Sequence, residues 1–516
     1  MELKNFELRD YAEALLAAGL LAAPLSSRPD TVITGLTYDS RKVTAGSLFI
    51  VKGAGFREEF LTSASQMGAA AYLSEKEYSV DLPCLLVTDV RLAMAAVSQM
   101  YFNFPSDALT VFGITGTKGK STTVCFLRAI LDVFARKMHV IPGGAVSSIE
   151  TYDGKERFPS SLTTPESPDL WKYLYNMADS GMTDAVVEVS SQALKYGRVA
   201  GLSFDSACII NVGLDHISPI EHSDFEDYFT SKLKIYDSCR TACVNADSEY
   251  ASRILEYIGG RVPVVTFGSH PDDTVYCPGA EKRGDGIYFS VITPRGNAEL
   301  KITMPGMFNV QNALAATALA YSVGIPIDFI REGLEFARAE GRMQLYRSAD
   351  GKITVIVDYA HNEMSFNALF DVVDAEYPTA RKTVIFGCVG GKAQNRREEL
   401  GKLTGRRADH VIVTEKDCAD EPFGNIAEEI VCHIRPSGTP YDVICDREEA
   451  FRRAVDLAAE SGEENVILFL GRGGEVTQKR GHVNVSVPSD PEITRRVLAS
   501  YDETSKKVSA LGGETN

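Results

Sequence analysis

GITGTKGKSTT, residues 113–123, is the stretch that decides the fold of this chain. An apolar run precedes it at 109–112 and a helix-forming run follows it, so the segment predicts a strand, a glycine-rich turn and a helix. Such turns bind phosphates, because glycine lets backbone N–H groups come close and the helix N-terminus carries a positive dipole. Lys120 would reach the outer phosphates, and the Ser121 hydroxyl would ligate Mg²⁺. The sequence therefore predicts a site for ATP or GTP.

The loop departs from the strict pattern G-x-x-x-x-G-K-[ST] at one position, because the glycine lies at Gly113 and Ile114 takes its place. The spacing T-G-T-x-G-K-S therefore indicates a subset of phosphate-binding loops. A glycine-rich loop with no nucleotide role is the alternative, and the Lys-Ser pair at a strand-helix junction argues against it. The predicted nucleotide-binding residues of the loop are Gly116, Thr117, Lys118, Gly119, Lys120, Ser121 and Thr122.

Length and composition indicate a globular chain of several domains. At 516 residues the chain is too long for one hydrophobic core, and a typical domain size of about 150 residues predicts roughly three domains. The first 25 residues contain acids and no basic leader, which favours an amphipathic helix over a signal peptide. No apolar run approaches the ~18 residues of a membrane span, so we expect no membrane partner.

The net charge and the cysteines indicate which kinds of partner and which cellular compartment to expect. The formal net charge of −17 argues against nucleic acid, since binding a phosphate backbone needs a basic face. An anionic substrate would be met by local positive charge rather than by the global field. The 10 cysteines lie mostly in apolar strands, as Cys208, Cys388 and Cys445 do, and are expected to be reduced core residues. These features predict a cytoplasmic protein.

Strand-like and helix-like stretches alternate along most of the chain, which predicts an α/β protein with parallel, doubly wound sheets. The predicted strands lie at 109–115, 184–190, 207–212 and 241–245 and, in a second series, at 353–359, 382–388, 410–414 and 465–470. We predict a mixed α/β N-terminal domain at 1–108, a central P-loop domain with a doubly wound parallel sheet at 109–341, and a C-terminal Rossmann-like α/β domain at 342–503. A hinge is expected after the helix at 311–323. The polar residues 504–516 are expected to form a disordered tail.

Beyond the phosphate loop, further stretches occur in an order that resembles the Mur ligase family. These are SLTTPESPDL at 161–170, EVSSQAL at 188–194, GMFNVQNALAA at 306–316 and DYAHN at 358–362. Two more stretches are similar to the members that add the third residue of the muramoyl peptide, namely YDSRKVTAGSLFIVKG at 38–53 and IEHSDFEDYFTSKLKIY at 220–236. The resemblance covers nearly the whole chain, and the motifs are specific in combination.

The resemblance implies a monomeric, ATP-dependent amide ligase of cytoplasmic peptidoglycan-precursor synthesis. UDP-N-acetylmuramoyl-L-alanyl-D-glutamate, with its uridine on the N-terminal domain, would take the γ-phosphate of ATP on its terminal carboxylate. The amino group of an amino acid bound by the C-terminal domain would then attack the acyl phosphate. Two Mg²⁺ ions and Lys120 would neutralise the charge between carboxylate and triphosphate, and closure of the domains would exclude water.

Three residues are predicted to hold the metal ions together with Ser121. Glu188 ends the apolar strand DAVVE, where α/β folds place their ligands, and a surface acid is the alternative. The resemblance makes His216, after the strand CIINV, a second-metal ligand, with a structural or solvated histidine as the alternative. It makes Lys232 a carbamate, an anionic ligand formed with carbon dioxide; an exposed lysine is the alternative, and Lys234 is the competing position. With the loop lysine they form the predicted catalytic set.

The resemblance also assigns residues to the nucleotide-sugar substrate, for which hydroxyl and guanidinium groups are suitable donors. Near the uridine it places Ser40. Near the pyrophosphate and the sugar it places Thr163, Thr164, Ser190 and Arg198. The threonines follow a leucine and could instead be ordinary turn residues.

Further along the chain, the resemblance assigns four residues to ATP. Asn312 would contact adenine, Arg342 a phosphate, and Asp358 with His361 would line the nucleotide from the far side. Asn312 could instead cap or pack a helix. Arg342 lies at the expected hinge, where a guanidinium can stabilise charge only when the domains close.

The added amino acid is predicted from TEKDCADEP at 414–422, which follows the strand HVIV as the family's recognition stretch does. Members that use meso-diaminopimelate carry an arginine there for the distal carboxylate, whereas this stretch has no arginine and is acidic. Ungapped alignment puts these residues on the specificity positions: Lys416, Asp417, Cys418 and Ala419. Glu475 could also face a substrate ammonium, and Gln192 replaces a histidine as in lysine-adding members. We predict L-lysine, with L-ornithine as the nearest alternative; solvated acids are the other interpretation, and Lys416 replaces an acid of the lysine-adding pattern.

Three other functions stay open at this point. A folylpolyglutamate or cyanophycin-type ligase shares the fold but lacks the uridine-binding domain that YDSRKV at 38–43 resembles. A P-loop NTPase could drive a conformational change without ligation, in which case its phosphate release would not need the muramoyl dipeptide. A paralogue could add an unusual amino acid outside cell-wall synthesis.

Overall fold

The computed structural model describes residues 3–53, 55–160, 162–214, 217, 221–284 and 286–512. The chain divides into two compact units. The first comprises Met1–Gly279, Phe289–Leu300 and Gln311–Phe336, and the second comprises Ala280–Tyr288, Lys301–Val310 and Ala337–Asn516. Both contain parallel strands with helices between them, as the alternating sequence predicts, so the α/β fold class is confirmed. The three domain boundaries stay predictions.

The N-terminal part of the first unit contains a small parallel sheet. Its elements are β1 (Phe6–Glu7), α1 (Leu8–Ala17), β2 (Val32–Ile33), β3 (Gly35–Thr37), β4 (Ser47–Ile50), α2 (Glu58–Gln66), β5 (Ala71–Ser74), β6 (Cys84–Leu86) and α3 (Val90–Tyr101), with 3-10 turns at Ser40–Lys42 and Pro105–Ala108. Strands β3 to β6 pair in chain order, all parallel. Helix α1 is amphipathic, as predicted, and buries Leu8, Tyr11 and Leu15.

The middle of the chain forms the central sheet and its helices. The elements are β7 (Thr110–Thr115), α4 (Lys120–Met138), β8 (Gly144–Val146), β9 (Glu150–Tyr152), β10 (Arg157–Pro159), α5 (Ser167–Asp179), β11 (Asp184–Glu188), α6 (Ser191–Lys195), β12 (Ser206–Ile209), α7 (Phe225–Leu233), β13 (Ala242–Asn245), α8 (Ala251–Ile258), β14 (Val264–Gly268), β15 (Val275–Tyr276), β16 (Ala280–Arg283), β17 (Gly286–Thr293), β18 (Gly296–Ile302), α9 (Phe308–Ser322) and α10 (Ile327–Phe336), with a 3-10 turn at Lys234–Ser238. The strands predicted at 109–115, 184–190, 207–212 and 241–245 are all present. The strands β14 to β18 were not predicted, because some of them, such as AEKR in β16, have no apolar pattern.

The order of the parallel strands positions the site. They run β8-β11-β7-β12-β13-β14-β15, so the strand before the phosphate loop, β7, lies between β11 and β12. Glu188, the last residue of β11, is in register with Ile114 of β7. Because parallel strands end at the same edge of the sheet, Glu188 and the residues after β12 lie beside the loop.

The second unit contains the other doubly wound sheet. Its elements from residue 344 onward are β19 (Gln344–Arg347), β20 (Ile353–Asp358), α11 (Glu363–Glu376), β21 (Arg381–Phe386), α12 (Asn395–Arg407), β22 (His410–Val413), α13 (Phe423–Ile434), β23 (Tyr441–Val443), α14 (Arg447–Ser461), β24 (Asn465–Leu470), β25 (Thr477–Arg480), β26 (Val483–Ser486) and α15 (Asp490–Gly512), with a 3-10 turn at Arg435–Ser437. The sheet order is β19-β20-β24-β21-β22-β23, and only β19 runs antiparallel to its neighbour. Strands β20, β21, β22 and β24 match the predicted second series.

Two sequence expectations differ from the structure. The segment expected to be a disordered tail from Thr504 is helical through Gly512 as the end of α15. Just before it, Tyr501 and Asp502 hold the helix by hydrogen bonds of 2.9 and 2.8 Å with Asp350 and Ala349. Residues 513–516 lie outside the described residues. Cys445, expected in the core, is exposed because β23 ends two residues earlier, at Val443.

The cysteines are free thiols, and Cys208 and Cys388 are buried as predicted. Within the described part of the chain, no helix is both long and apolar enough to cross a membrane.

A buried ion pair in the second unit gives a stability prediction. Arg447 on α14 binds Asp490 on α15 through two contacts of 2.7 Å, and the two side chains are 5% and 0% exposed. Asp490→Ala would leave the guanidinium buried without its carboxylate, so we expect the free energy of unfolding to fall by about 3–5 kcal/mol in urea denaturation. The matched control, Arg452→Ala, removes an exposed pair with Glu448 and should cost at most about 1 kcal/mol. Equal losses in the two variants would contradict the prediction.

Candidate nucleotide and substrate site

The phosphate loop joins β7 to α4 in the first unit. Gly119, at its end, has a φ of +81°, a left-handed conformation that favours glycine. A Cβ atom on Gly119 would also lie 2.0 Å from Asn312 Oδ1, so space excludes a side chain there as well. Asn312 therefore packs against the loop. Its contact with adenine stays a prediction.

Asn211, which the sequence analysis did not single out, holds the loop from the segment that follows the neighbouring strand β12. Its Oδ1 accepts hydrogen bonds from the backbone N–H groups of Thr117 at 3.1 Å and Lys118 at 2.9 Å. Its Nδ2 donates to the carbonyl oxygen of Lys118 at 3.2 Å. Asn211 follows β12, so a polar residue directly after an apolar strand was the signal that could have found it.

Two lysine ammonium groups meet at one carbonyl oxygen of the loop. Lys120 Nζ and Lys232 Nζ each donate to Gly116 O, both at 2.9 Å. Lys232 is 1% exposed and its Nζ lies 4.5 Å from the ring centroid of Tyr228. The competing Lys234 is exposed. The fold therefore brings Lys232, and not Lys234, to the phosphate loop.

Glu188 places a buried carboxylate next to the loop. It is 1% exposed, and its Oε1 accepts from Ser121 Oγ at 3.3 Å. Its Oε2 accepts from the backbone N–H of Ser148 at 2.8 Å, and the hydroxyls of Ser121 and Ser148 are 2.8 Å apart. Glu188 is thus a buried acid and not a surface one. Ser148 follows the short strand β8 and was missed.

The oxygen atoms of Ser121 and Glu188 fit Mg²⁺, which proteins commonly hold through one or two carboxylates, with phosphate and water oxygens completing its shell. Among the described residues, no group of three or more His, Cys, Asp or Glu side chains could hold a metal ion. An ion here would therefore depend on nucleotide oxygens for further ligands. His216, the predicted second-metal ligand, lies outside the described residues.

Thr164 links the predicted substrate residues to the buried acid. Its Oγ1 donates to the carbonyl oxygen of Glu188 at 2.8 Å and accepts from the backbone N–H of Ser190 at 2.9 Å. Arg198 Nη1 donates to the carbonyl oxygen of Thr164 at 3.1 Å. The structure thus brings Thr164, Ser190 and Arg198 into one hydrogen-bonded cluster.

Three further predicted residues of the first unit are Ser40, Thr163 and Thr122, and Ser40 lies in its N-terminal part. Ser40 begins the 3-10 turn that Asp39 caps by accepting from the backbone N–H of Arg41 at 3.0 Å. Ser40 and Thr163 are partly exposed, which leaves them accessible to a ligand. Thr122 is 7% exposed in the first turn of α4.

In the second unit, the predicted residues surround Tyr359, a member of the DYAHN stretch that the sequence analysis did not single out. The guanidinium of Arg342 lies 4.3 Å from its ring centroid and Lys416 Nζ lies 5.1 Å from it. The His361 ring is 5.0 Å away, and the Glu475 carboxylate lies close enough to act electrostatically on the tyrosine. Removal from water raises the pKa of Tyr359, so its hydroxyl stays protonated at neutral pH.

Asp358 fixes the backbone on both sides of this cluster. Its Oδ2 accepts from the N–H of Met343 and its Oδ1 from the N–H of Ala360, both at 2.7 Å. Met343 has a φ of +44°, so this carboxylate holds a tight turn directly after Arg342. Its predicted contact with the nucleotide stays a prediction.

The recognition stretch contains a buried cation where an acid was expected. Lys416 is 5% exposed; burial lowers its pKa, and Glu475 and Asp417 act in the opposite direction. Burial raises the pKa of Glu475. Arg472, 1% exposed, donates from Nη2 to the carbonyl oxygen of Glu475 at 2.8 Å. Two buried cations therefore lie beside Glu475.

Two of the acids in the stretch are neutralised within the chain. Arg480 binds the Glu415 carboxylate through contacts of 3.1 and 2.6 Å. Arg397 binds the Glu421 carboxylate through contacts of 2.8 and 2.7 Å. Glu415 and Glu421, expected to leave the stretch acidic, are thus committed to arginines from other elements.

Strand β25 holds the middle of the stretch. Asp417 Oδ1 accepts from the N–H of Lys479 at 2.9 Å, and the N–H of Ala419 donates to the Lys479 carbonyl oxygen at 3.2 Å. Ala419 has a φ of +50°. Cys418 is 5% exposed, and burial raises its thiol pKa to about 12. The cysteine is therefore a core residue of the stretch.

A phosphate loop at a sheet edge, with an acid at the end of the adjacent strand, defines a nucleotide-dependent enzyme of the P-loop class. Family comparison makes this more specific. The Mur ligase middle domain matches residues 114–320, and the Mur ligase, glutamate ligase domain matches residues 341–473. The chain belongs to the Mur ligase family and is an ATP-dependent ligase, which confirms the resemblance noted in its motifs.

Two curated relatives are similar in sequence to this chain over most of its length. The UDP-N-acetylmuramoyl-L-alanyl-D-glutamate--L-lysine ligase of Enterococcus faecalis is 36% identical over 464 residues, 89% of this chain and 90% of the relative. The UDP-N-acetylmuramyl-tripeptide synthetase of Bifidobacterium longum is 36% identical over 486 residues, 91% of this chain and 92% of the relative.

A solved structure has the same fold. The UDP-N-acetylmuramoyl-L-alanyl-D-glutamate--2,6-diaminopimelate ligase superposes with a TM-score of 0.63 over 96% of this chain and 100% of that chain. The two sequences are 22% identical, so this likeness supports the architecture alone.

Proposed function

We propose that the chain adds L-lysine, as the third amino acid, to UDP-N-acetylmuramoyl-L-alanyl-D-glutamate in cytoplasmic peptidoglycan-precursor synthesis, and that it acts as a monomer. The observation that carries the proposal is the meeting of Lys120, Lys232, Ser121 and Glu188 at one phosphate loop. Two relatives that cover about nine-tenths of the chain are named for tripeptide synthesis, which supports the substrate. The same coverage disfavours a folylpolyglutamate-type ligase and an NTPase without ligation.

The loop binds the triphosphate of ATP through its backbone N–H groups and Lys120. The γ-phosphoryl group passes from ATP to the D-glutamate carboxylate, which gives an acyl phosphate and ADP. The amino group of lysine then attacks the acyl carbon, and phosphate and a proton leave as the amide forms. Lys120 supplies fixed positive charge where these anions meet.

Two Mg²⁺ ions, one of them held by Ser121 and Glu188, would neutralise phosphate oxygens during this transfer. Lys232 is proposed to act as a carbamate: its neutral amine adds carbon dioxide and loses a proton, so a cation becomes an anionic oxygen ligand. Its burial beside Gly116 supports a role at the loop. His216 is proposed as a further ligand from the resemblance alone.

The remaining assignments follow the same family pattern. Ser40 is proposed for the uridine; Thr163, Thr164, Ser190 and Arg198 are proposed for the diphosphate and sugar. The hydrogen-bonded cluster around Thr164 supports the second group. Asn312, Arg342, Asp358 and His361 are proposed for ATP, and the cluster at Tyr359 supports grouping the last three.

For the amino acid, we propose that Glu475 and Asp417 receive the lysine ammonium, since Glu415 and Glu421 already bind arginines. Lys416 lies beside these two acids, and its positive charge partly offsets their negative charge. The relative from Enterococcus faecalis, named as an L-lysine ligase, supports lysine over meso-diaminopimelate.

An amino-acid screen tests the proposal. Purified full-length protein is given ATP, Mg²⁺ and the muramoyl-dipeptide nucleotide with L-lysine, L-ornithine or meso-diaminopimelate, and both phosphate and peptide product are measured. We expect kcat/KM for L-lysine to exceed that for meso-diaminopimelate by at least about tenfold. A higher value for meso-diaminopimelate would refute the lysine assignment. Phosphate release that does not need the dipeptide would refute ligation as the main activity.

Lys416 provides a second prediction. Lys416→Gln removes a buried positive charge next to Glu475, so we expect the KM for L-lysine to fall by about tenfold, equivalent to about 1.4 kcal/mol. The KM for UDP-N-acetylmuramoyl-L-alanyl-D-glutamate, whose proposed binding residues lie in the first unit, should not change. Lys479→Gln, an exposed lysine on the adjacent strand, is the control. An unchanged or higher KM for L-lysine in Lys416→Gln would mean that its charge does not reach the substrate.

A further inference from the structure

A carboxylate in the first unit joins two cations from different parts of the chain. Glu166 Oε2 lies 2.7 Å from Lys52 Nζ, and Glu166 Oε1 lies 3.0 Å from Arg198 Nη2. All three side chains are less than one-fifth exposed, at 17% for Lys52, 11% for Glu166 and 13% for Arg198. Lys52 follows β4 of the small N-terminal sheet, whereas Arg198 follows α6 of the central sheet. The two ion pairs of Glu166 therefore connect the segment after β4 of the N-terminal sheet to the segment after α6.

Lys52 lies between the residues proposed for the uridine and those proposed for the diphosphate. Its Nζ is 4.6 Å from the ring centroid of Tyr38, two residues before Ser40. The Tyr38 hydroxyl donates to Asp169 on α5 at 2.5 Å, which fixes the ring under the ammonium. On the other side, Arg198 reaches Thr164. A diphosphate that joins a uridine to a sugar would pass along this line.

The local charge favours an anion. The cluster has three cations and two acids. Glu166 binds Lys52 and Arg198, Arg91 contributes a third positive charge close enough to act on Lys52, and Asp169 is the second acid, bound to the Tyr38 hydroxyl. Burial lowers the pKa of Lys52, Glu166 acts in the opposite direction, and Arg198 and Arg91 lower it further. The net shift is downward, so a bound anion would stabilise the ammonium. Arg198 Nε is a buried donor with no hydrogen-bond partner among the described residues. A local positive cluster stands out in a chain with a net charge of −17.

We infer that Lys52 is a further substrate-binding residue, which binds the diphosphate of the nucleotide-sugar substrate together with Arg198. The inference rests on the proposed function for the identity of that substrate. Glu166 holds the two cations side by side, so that the N-terminal sheet contributes directly to phosphate recognition. Lys52 is not among the residues that the family resemblance assigned.

Binding measurements on the full chain test this. The Kd values of UDP-N-acetylmuramoyl-L-alanyl-D-glutamate, UDP and uridine are measured by calorimetry for the wild type, Lys52→Gln and Lys52→Arg. We expect Lys52→Gln to weaken both diphosphate ligands by about tenfold, since a charge-assisted hydrogen bond is lost. Uridine, which lacks phosphate, should change less than about twofold, and Lys52→Arg, which keeps the charge, should retain most of the affinity. The KM for ATP should stay the same.

The matched control is Lys76→Gln. Lys76 also belongs to the N-terminal part and its Nζ lies over a tyrosine ring, 4.9 Å from the Tyr78 centroid, but it is exposed. The Lys76→Gln variant should bind all three ligands with the Kd values of the wild type. Unchanged UDP affinity in Lys52→Gln, or equal weakening of UDP and uridine, would overturn the inference while wild-type ligation still upheld the proposed function. A wild type that neither ligates nor binds uridine nucleotides would overturn both.

Discussion

Lys120→Ala is expected to lower kcat/KM for ligation by at least about 100-fold, a loss of at least about 2.7 kcal/mol in transition-state stabilisation. The reason is that its ammonium supplies fixed charge where ATP and the substrate carboxylate meet. In the structure this ammonium donates to the loop carbonyl oxygens of Gly116 and Thr117. Lys120 is not among the buried residues of α4, so the packing of that helix should survive the truncation. Coupled ADP release measures the activity, and thermal unfolding should show an unchanged fold.

The control for this variant lies on the same helix. Lys137→Ala, in the last turn of α4, removes an exposed lysine paired with Glu332 and should keep activity within about twofold of the wild type. If Lys120→Ala retained more than a few per cent of wild-type activity, the assignment of the phosphate loop would be wrong.

Lys232→Ala is expected to lower kcat/KM for ligation by at least about 100-fold. Small carboxylic acids that take the place of the carbamate should partly restore the activity. Simple loss of a packed side chain would not respond to such acids, so rescue distinguishes the chemical role from a structural one. Rescue is measured as the return of ligation when acetate or a homologue is added at constant pH and ionic strength.

Lys234→Ala is the matched control, because Lys234 is two residues away but exposed. It should behave as the wild type, with or without added acid. A crystal structure with bound nucleotide in which Lys232 points away from the Mg²⁺ site would refute the carbamate proposal, as would full activity of Lys232→Ala.

The sequence predicted the parts of the site that depend on local order along the chain. The phosphate loop could be read because its glycines, Lys120 and Ser121 form one contiguous turn between a strand and a helix. Glu188 could be placed because a polar residue that ends an apolar strand lies at the binding edge of a parallel sheet. The neighbouring Asn211 gave the same kind of signal and was overlooked.

The recognition stretch shows where such reasoning stops. Its acids were visible in the sequence, but the arginines that neutralise Glu415 and Glu421 are 65 and 24 residues away. Such ion pairs depend on which helices and strands pack together, and a local sequence pattern does not predict them. The buried position of Lys416 beside Glu475 has the same origin.

By itself, the sequence determined the nucleotide-binding class, the α/β architecture and the family, because contiguous motifs and strand-helix alternation encode them. The tertiary structure decided which lysine reaches the loop, since burial separates Lys232 from Lys234. It also decided that Lys52 meets Arg198 on Glu166, a contact between residues more than 100 positions apart. The physical reason is that hydrogen bonds and ion pairs act over about 3 Å in space, whatever the separation along the chain.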